Sequence, residues 1–193
     1  MARGPHYRVK LRRIREGKTD YWKRVALLKS GKPRMVVRRT SNMITVQFIV
    51  FDPRGDRVIA QANSKDLVRL GWKAHPANLP AAYLVGYLAA KRAIEKGIRE
   101  AVLDIGFQTP VHGSAPFAAL KGALDAGVNV PHSEEALPPE ERIRGEHIAA
   151  YAKLLKSSQP DRYQRQFSKY IERGLEPENI VSHFEDILAK VKA

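Results

Sequence analysis

Between Arg8 and Arg24 the chain reads RVKLRRIREGKTDYWKR, in which eight of seventeen residues are lysine or arginine and Tyr21 and Trp22 stand among them. Dense cations neutralise phosphates and release counterions, while aromatic rings stack on unpaired bases. The mixture therefore suits RNA better than an acidic protein surface. A solubilising tail or a targeting signal would account for the charge and leave the two aromatics without a use. The excess is also confined: residues 1–39 hold fourteen lysines and arginines against Glu16 and Asp20, which is +12 of the chain's net +14. Polyanion binding is thus expected of a basic arm attached to a nearly neutral body. Arg3 and Lys23 belong to this basic segment. Tyr21 and Trp22 are candidate base-stacking residues, Tyr21 reading more readily as an anchor against the body and Trp22 open between the two roles.

Other residues invite catalytic readings. Asp104-Ile105-Gly106 ends a short strand, where α/β sheets commonly place functional groups. The strand order resembles a ribonuclease-H-type arrangement, whose catalysis needs several carboxylates around two metal ions about 4 Å apart. A metal-dependent nuclease of that topology is the alternative function. Its acids are missing: the strand MVVRRT offers two arginines, Asp52 and Asp56 fall in a hairpin loop, and Glu95 lies at the far end of a long helix. The loop GFQTPVHGSAP contains His112 and Ser114, yet it lacks the G-x-S-x-G elbow and a readable acid partner. Ser114 reads instead as the N-cap of a helix beginning at Ala115, and a Gly-flanked loop at a helix start is a good phosphate seat. There is no G-x-x-x-x-G-K-[ST], no H-x-x-x-H pair among the six histidines and no cysteine, so nucleotide hydrolysis, zinc ligation and disulfides are disfavoured. The expectation is a non-enzymatic protein with no cofactor and no metal. No apolar run approaches the roughly 20 residues of a membrane span, and the basic N-terminus lacks the apolar stretch of a signal peptide. A soluble cytoplasmic protein without a membrane partner is expected.

The elements that must hold these residues read as follows. Residues 1–18 alternate basic and apolar positions around Gly4-Pro5 and Gly17, which fits an extended arm ordered by its partner. Thr19 is the expected cap of a short helix, with Asp20 in its first turn and Tyr21, Val25 and Leu28 on one face until Ser30-Gly31. Met35–Thr40, Met43–Phe51 and Arg57–Ala62 read as a three-stranded antiparallel meander. Around Ser64 a short helix is expected. Asn78 and Pro80 open a long helix that runs to Lys96, its small residues suited to lying close on a sheet. A strand at Ala101–Ile105, a helix at Ala115–Ala126 and a further short strand at Val128–Val130 complete a βββαβαβ order whose crossover favours parallel pairing. After Pro138-Pro139, amphipathic helices at about 145–157, 161–173 and 177–191 form a tail too thin for its own core. The fold class is α/β: a meander followed by αβαβ in a mixed sheet, with a basic N-terminal arm and a helical C-terminal extension. The expected division is arm 1–34, RNA-binding body 35–132 and extension 133–193.

The order of these blocks resembles the universal 5S-rRNA-binding proteins of the large ribosomal subunit, the family numbered eighteen, in their archaeal and eukaryotic form. The resemblance is carried by TDYWKR, LLKSGKPRMVVRRTSNMITVQFI, NLPAAYLVGYLAAKRAIEKGI, AVLDIGFQTPVHGSAPFAALKGALDAG and VPHSEEALPPEERIRGEHIAAYAKLL. It implies a structural role in the central protuberance, with 5S rRNA, the large-subunit rRNA and neighbouring ribosomal proteins as partners. By position it implies phosphate contacts from Arg8, Lys10, Arg12, Arg13, Arg15, Lys18 and Arg24. It also implies an RNA face at Lys32, Arg34, Arg38, Arg39, Ser41 and Asn42, and a loop contact around Thr109, His112 and Ser114. That loop departs from the more basic, Tyr- and Lys-containing loop of bacterial members.

Overall fold

The computed structural model describes Gly4 and residues 6–193. Its four-stranded sheet contains β1 (Arg34–Arg39), β2 (Ile44–Val50), β3 (Arg57–Asn63) and β4 (Val102–Asp104) in the order β3-β2-β1-β4. The meander pairs antiparallel, and β4 returns parallel to β1 after a helical crossover. Strand alternation sends Met35, Val37, Ile44, Val46, Phe48, Ala60 and Ala62 to one face, where all are buried.

Over that face lie α4 (Leu79–Glu95) and α5 (Ala115–Asp125), while α3 (Ser64–Arg69) follows β3 directly. Asn78 caps α4 by accepting the Ala81 N–H at 2.9 Å, and Pro80 in the first turn forgoes a donor that has no partner there. The small residues of α4 have a further use beyond the sheet contact expected of them. A Cβ on Gly86 would overlap the carbonyl oxygen of Ala119, and one on Gly122 would overlap that of Tyr83, so α4 and α5 cross backbone to backbone. The strand expected at Val128–Val130 is reduced to one parallel bridge between Glu100 and Asn129. Pro131 follows immediately and has no N–H to extend the ladder.

The tail helices form where periodicity places them: α7 (Glu146–Ser158), α8 (Pro160–Glu172) and α9 (Ile180–Lys192), preceded by an additional short helix, α6 (Glu140–Arg144). Ile180, Phe184, Ile187 and Val191 of α9 enter the same apolar core as α4. Ala152, Leu155 and Phe167 make a smaller cluster between α7 and α8. Trp72 is 2% exposed and stacks on the His183 ring of α9, with centroids 5.1 Å apart, so it is a packing anchor. Among the described residues no helix is long and apolar enough to cross a membrane.

Candidate nucleic-acid interface

Alternate residues of β1 point away from the helices, and there Arg34, Val36 and Arg38 meet the N-terminal segment. That segment holds a single turn, α1 (Arg12–Arg15), and then α2 (Tyr21–Leu28). The cap of α2 is Asp20, whose carboxylate accepts the N–H groups of Trp22 and Lys23 at 3.1 and 3.2 Å. Thr19, the expected cap, instead accepts the Arg13 Nε–H on its hydroxyl at 2.9 Å. The preference is physical: an ionised carboxylate at a helix N-terminus gains from the helix dipole as well as the hydrogen bonds. Arg24 clasps Asp56 at 2.9 Å, and Lys23 reaches the Gly106 carbonyl at 3.5 Å. These bonds seat the helix beside the sheet.

Beneath it lies an ion network. Arg34 donates to Asp104 at 2.7 Å and to Asp56 at 2.6 Å, and Arg38 donates to the other Asp104 oxygen at 3.1 Å and to the Asp104 carbonyl at 2.8 Å. Burial raises the Asp104 carboxyl, but the Arg38 charge and hydrogen bond, the Gly106 N–H and Arg34 together hold it below the ordinary 3.8. Gly106 adopts φ +62°, and a Cβ there would press on the Arg38 guanidinium at 3.0 Å. Asp104 is therefore a counterion, with both oxygens taken by arginines. Among the described residues no three His, Asp or Glu side chains converge as a metal site would require. The nuclease alternative thus loses its one placed acid.

The same network sorts the cations. Arg34, for which an RNA contact is implied, is 4% exposed and paired with Asp56 and Asp104. Lys32 pairs with Glu100 at 2.7 Å. By contrast, Arg13 and Lys18 from the arm and Arg38 and Arg39 from β1 line one open groove with Ile105, Phe107 and Gln108. Arg8, Lys10, Arg12 and Arg15 are exposed nearby in sequence, Arg12 lying 3.9 Å from Glu16. Lys18 also approaches Glu16, at 2.9 Å. Ser41 and Asn42 are exposed in the turn that follows Arg39. Trp22 is 84% exposed whereas Tyr21 is half-buried, which divides the two aromatics between an outward ring and an anchor. Thr109 and His112 are exposed outside the groove. Ser114 occupies the N-cap position of α5 without a capping bond, its hydroxyl buried and unpartnered among the described residues. Arg3 lies outside the described residues. Sequence reasoning missed Phe107, an exposed ring on the groove wall. Its signal was a large aromatic directly after the Gly106 turn at a strand end.

Comparison with known proteins agrees with the resemblance of the sequence blocks. The family model described as "Ribosomal large subunit proteins 60S L5, and 50S L18" matches residues 5–100 and 95–133. A "Large ribosomal subunit protein uL18" from Aeropyrum pernix is 58% identical over 188 residues, covering 97% of this chain and 88% of that protein. A protein of the same description from Korarchaeum cryptofilum is 57% identical over 193 residues, covering 100% of this chain and 98% of that protein. A basic arm seated on an α/β body, matched along nearly its whole length by such relatives, belongs to the family of large-subunit ribosomal proteins 60S L5 and 50S L18.

Proposed function

We propose that this chain, a structural constituent of the large ribosomal subunit and not an enzyme, binds 5S rRNA and ties it to the large rRNA in the central protuberance. The observation that carries the reading is the groove in which Arg13 and Lys18 of the arm meet Arg38 and Arg39 of the sheet beside Phe107. Among the described residues Arg24, Arg34 and Arg38 pair with Asp56 and Asp104, so the network under the groove stays one charge positive while fixing the Arg38 guanidinium. A fixed cation loses little side-chain freedom when a phosphate arrives. The exposed arm cations supply affinity and salt dependence, and the rings of Phe107 and Trp22 offer stacking surfaces for unpaired bases. Neighbouring ribosomal proteins complete the set of partners.

A filter-binding titration against 5S rRNA over a salt series tests this. With about eight phosphates neutralised, log K should fall against log salt with a slope of roughly −5 to −7, and removing residues 1–18 should flatten it. Binding that is nearly independent of salt, or equal for 5S rRNA and an unrelated RNA of the same length, would overturn the proposal.

A further inference from the structure

Residues 133–193 hold ten cations against eleven acids, and that near-neutrality hides an uneven placement. Between 147 and 173 stand Lys153, Lys156, Arg162, Arg165, Lys169 and Arg173 against Asp161 and Glu172 alone. On α8 the exposed Arg162 and Arg165 stand one turn apart, and the exposed Lys169 follows beyond a kink at Phe167, where φ −108° and ψ 15° leave the helical range. Elsewhere in the tail Lys156 closes onto Glu178 at 3.0 Å and Arg144 lies 3.8 Å from Glu185, while Arg142, Lys153, Lys190 and Lys192 form no ion pair among the described residues. Among the described residues Arg162, Arg165, Lys169 and Arg173 form no ion pair.

The C-terminal end of α8 also comes close to the groove. Arg39, on the groove wall, donates to the Ala77 carbonyl at 3.3 Å, and Arg173, just past α8, donates to the Ala74 carbonyl at 3.1 Å. Two guanidinium groups thus hold one short loop, one from the strand and one from the tail. His75 in that loop is pushed below its usual value by burial first and then by the charges of Arg173, Lys169 and Arg39. An open cleft lined by Tyr151, Phe167 and Tyr170 adjoins the same loop at His75.

We infer that the C-terminal extension is a second RNA-binding surface, on which α8 presents Arg162, Arg165 and Lys169 to a phosphodiester backbone running on from the Arg39 groove. The inference rests on the reading of the chain as an rRNA-binding protein. The RNA is the 5S molecule proposed for the groove, because Arg39 of that groove and Arg173 beside α8 hold the same short loop.

The test uses the full chain and a triple variant, Arg162→Gln, Arg165→Gln and Lys169→Gln, which keeps good helix formers at exposed positions. Its thermal midpoint should match that of the parent. Binding of each protein to 5S rRNA and, separately, to the large-subunit rRNA is measured over a salt series. On 5S rRNA the slope of log K against log salt should lose about two to three in magnitude. A change with 5S rRNA supports the inference, and a change confined to the large rRNA overturns the choice of 5S rRNA. If the parent binds and the variant matches it in affinity and slope on both RNAs, this surface is a solvated or protein-facing one and the inference fails alone. If the parent itself shows no selective rRNA binding, the proposed function fails with it.

Discussion

Arg34 and Arg38 stand four residues apart in one basic strand, and their surroundings give them different work. Arg34 is sealed between Asp56 and Asp104, while Arg38 shares Asp104 and still reaches the groove. Removing one member of a buried ion network leaves uncompensated charge, which costs about 3–5 kcal/mol. Arg34→Leu should therefore lower the free energy of urea unfolding by about that amount. The salt slope of RNA binding by the folded variant should stay at the parent value. A variant as stable as the parent would contradict the sealed network, and a slope that falls by a phosphate's share would show that Arg34 serves RNA directly.

At the scale of elements, the packing of α4 on α5 depends on two positions without side chains. Alanine at a helix interior is intrinsically better than glycine by about 1 kcal/mol. At Gly86, however, the added methyl would overlap the Ala119 carbonyl, and that obstacle is rigid backbone. Overpacking of this kind costs about 1–3 kcal/mol and at times more, so the clash outweighs the propensity. Gly86→Ala should lose about 2 kcal/mol net, lowering the thermal midpoint by roughly 4–8 °C for a chain of this size. An unchanged or raised midpoint would mean that the helices do not meet so closely. The cap of α2 illustrates the same scale in the other direction: a shift of one residue, from Thr19 to Asp20, frees the Thr19 hydroxyl to hold Arg13 in the arm.

For the whole molecule the question is how the tail stays on the body. Besides the apolar residues of α9, His183 accepts the Lys73 N–H on Nε2 at 3.1 Å and stacks on Trp72, an arrangement available only to the neutral ring. Burial first, then the charges of Lys73 and Lys190, lower its value below 6.5, with Asp186 opposing them. The unfolded chain therefore takes up the proton more readily. The stabilisation is complete above about pH 6.5 and is lost as the pH falls through the lower folded value. His75 and His147 are lowered by burial as well and act in the same direction. The thermal midpoint should fall from pH 7 to pH 5, and His183→Gln should flatten part of that fall. A midpoint indifferent to pH across this range would contradict the joint described.

Much was legible in the residues alone, because charge and hydrophobic period are properties of neighbours along the chain. The confinement of +12 to residues 1–39, the meander, the parallel return and the tail helices could all be read that way. So could the scarcity of acids that weakens a nuclease reading. What the chain could not disclose was which of its arginines face outward, since this depends on partners far away in sequence. The register of β1 against β4 sets Val36 opposite Asp104, placing that carboxylate between Arg34 and Arg38 on the same face. Phe107 reaches the groove wall just past β4, and Arg173, just past α8, donates to the loop that Arg39 also holds. Sequence by itself determined that an arm of this protein is cationic. Only the tertiary structure decided which cations are neutralised by buried carboxylates, because burial and pairing arise when strands some seventy residues apart meet.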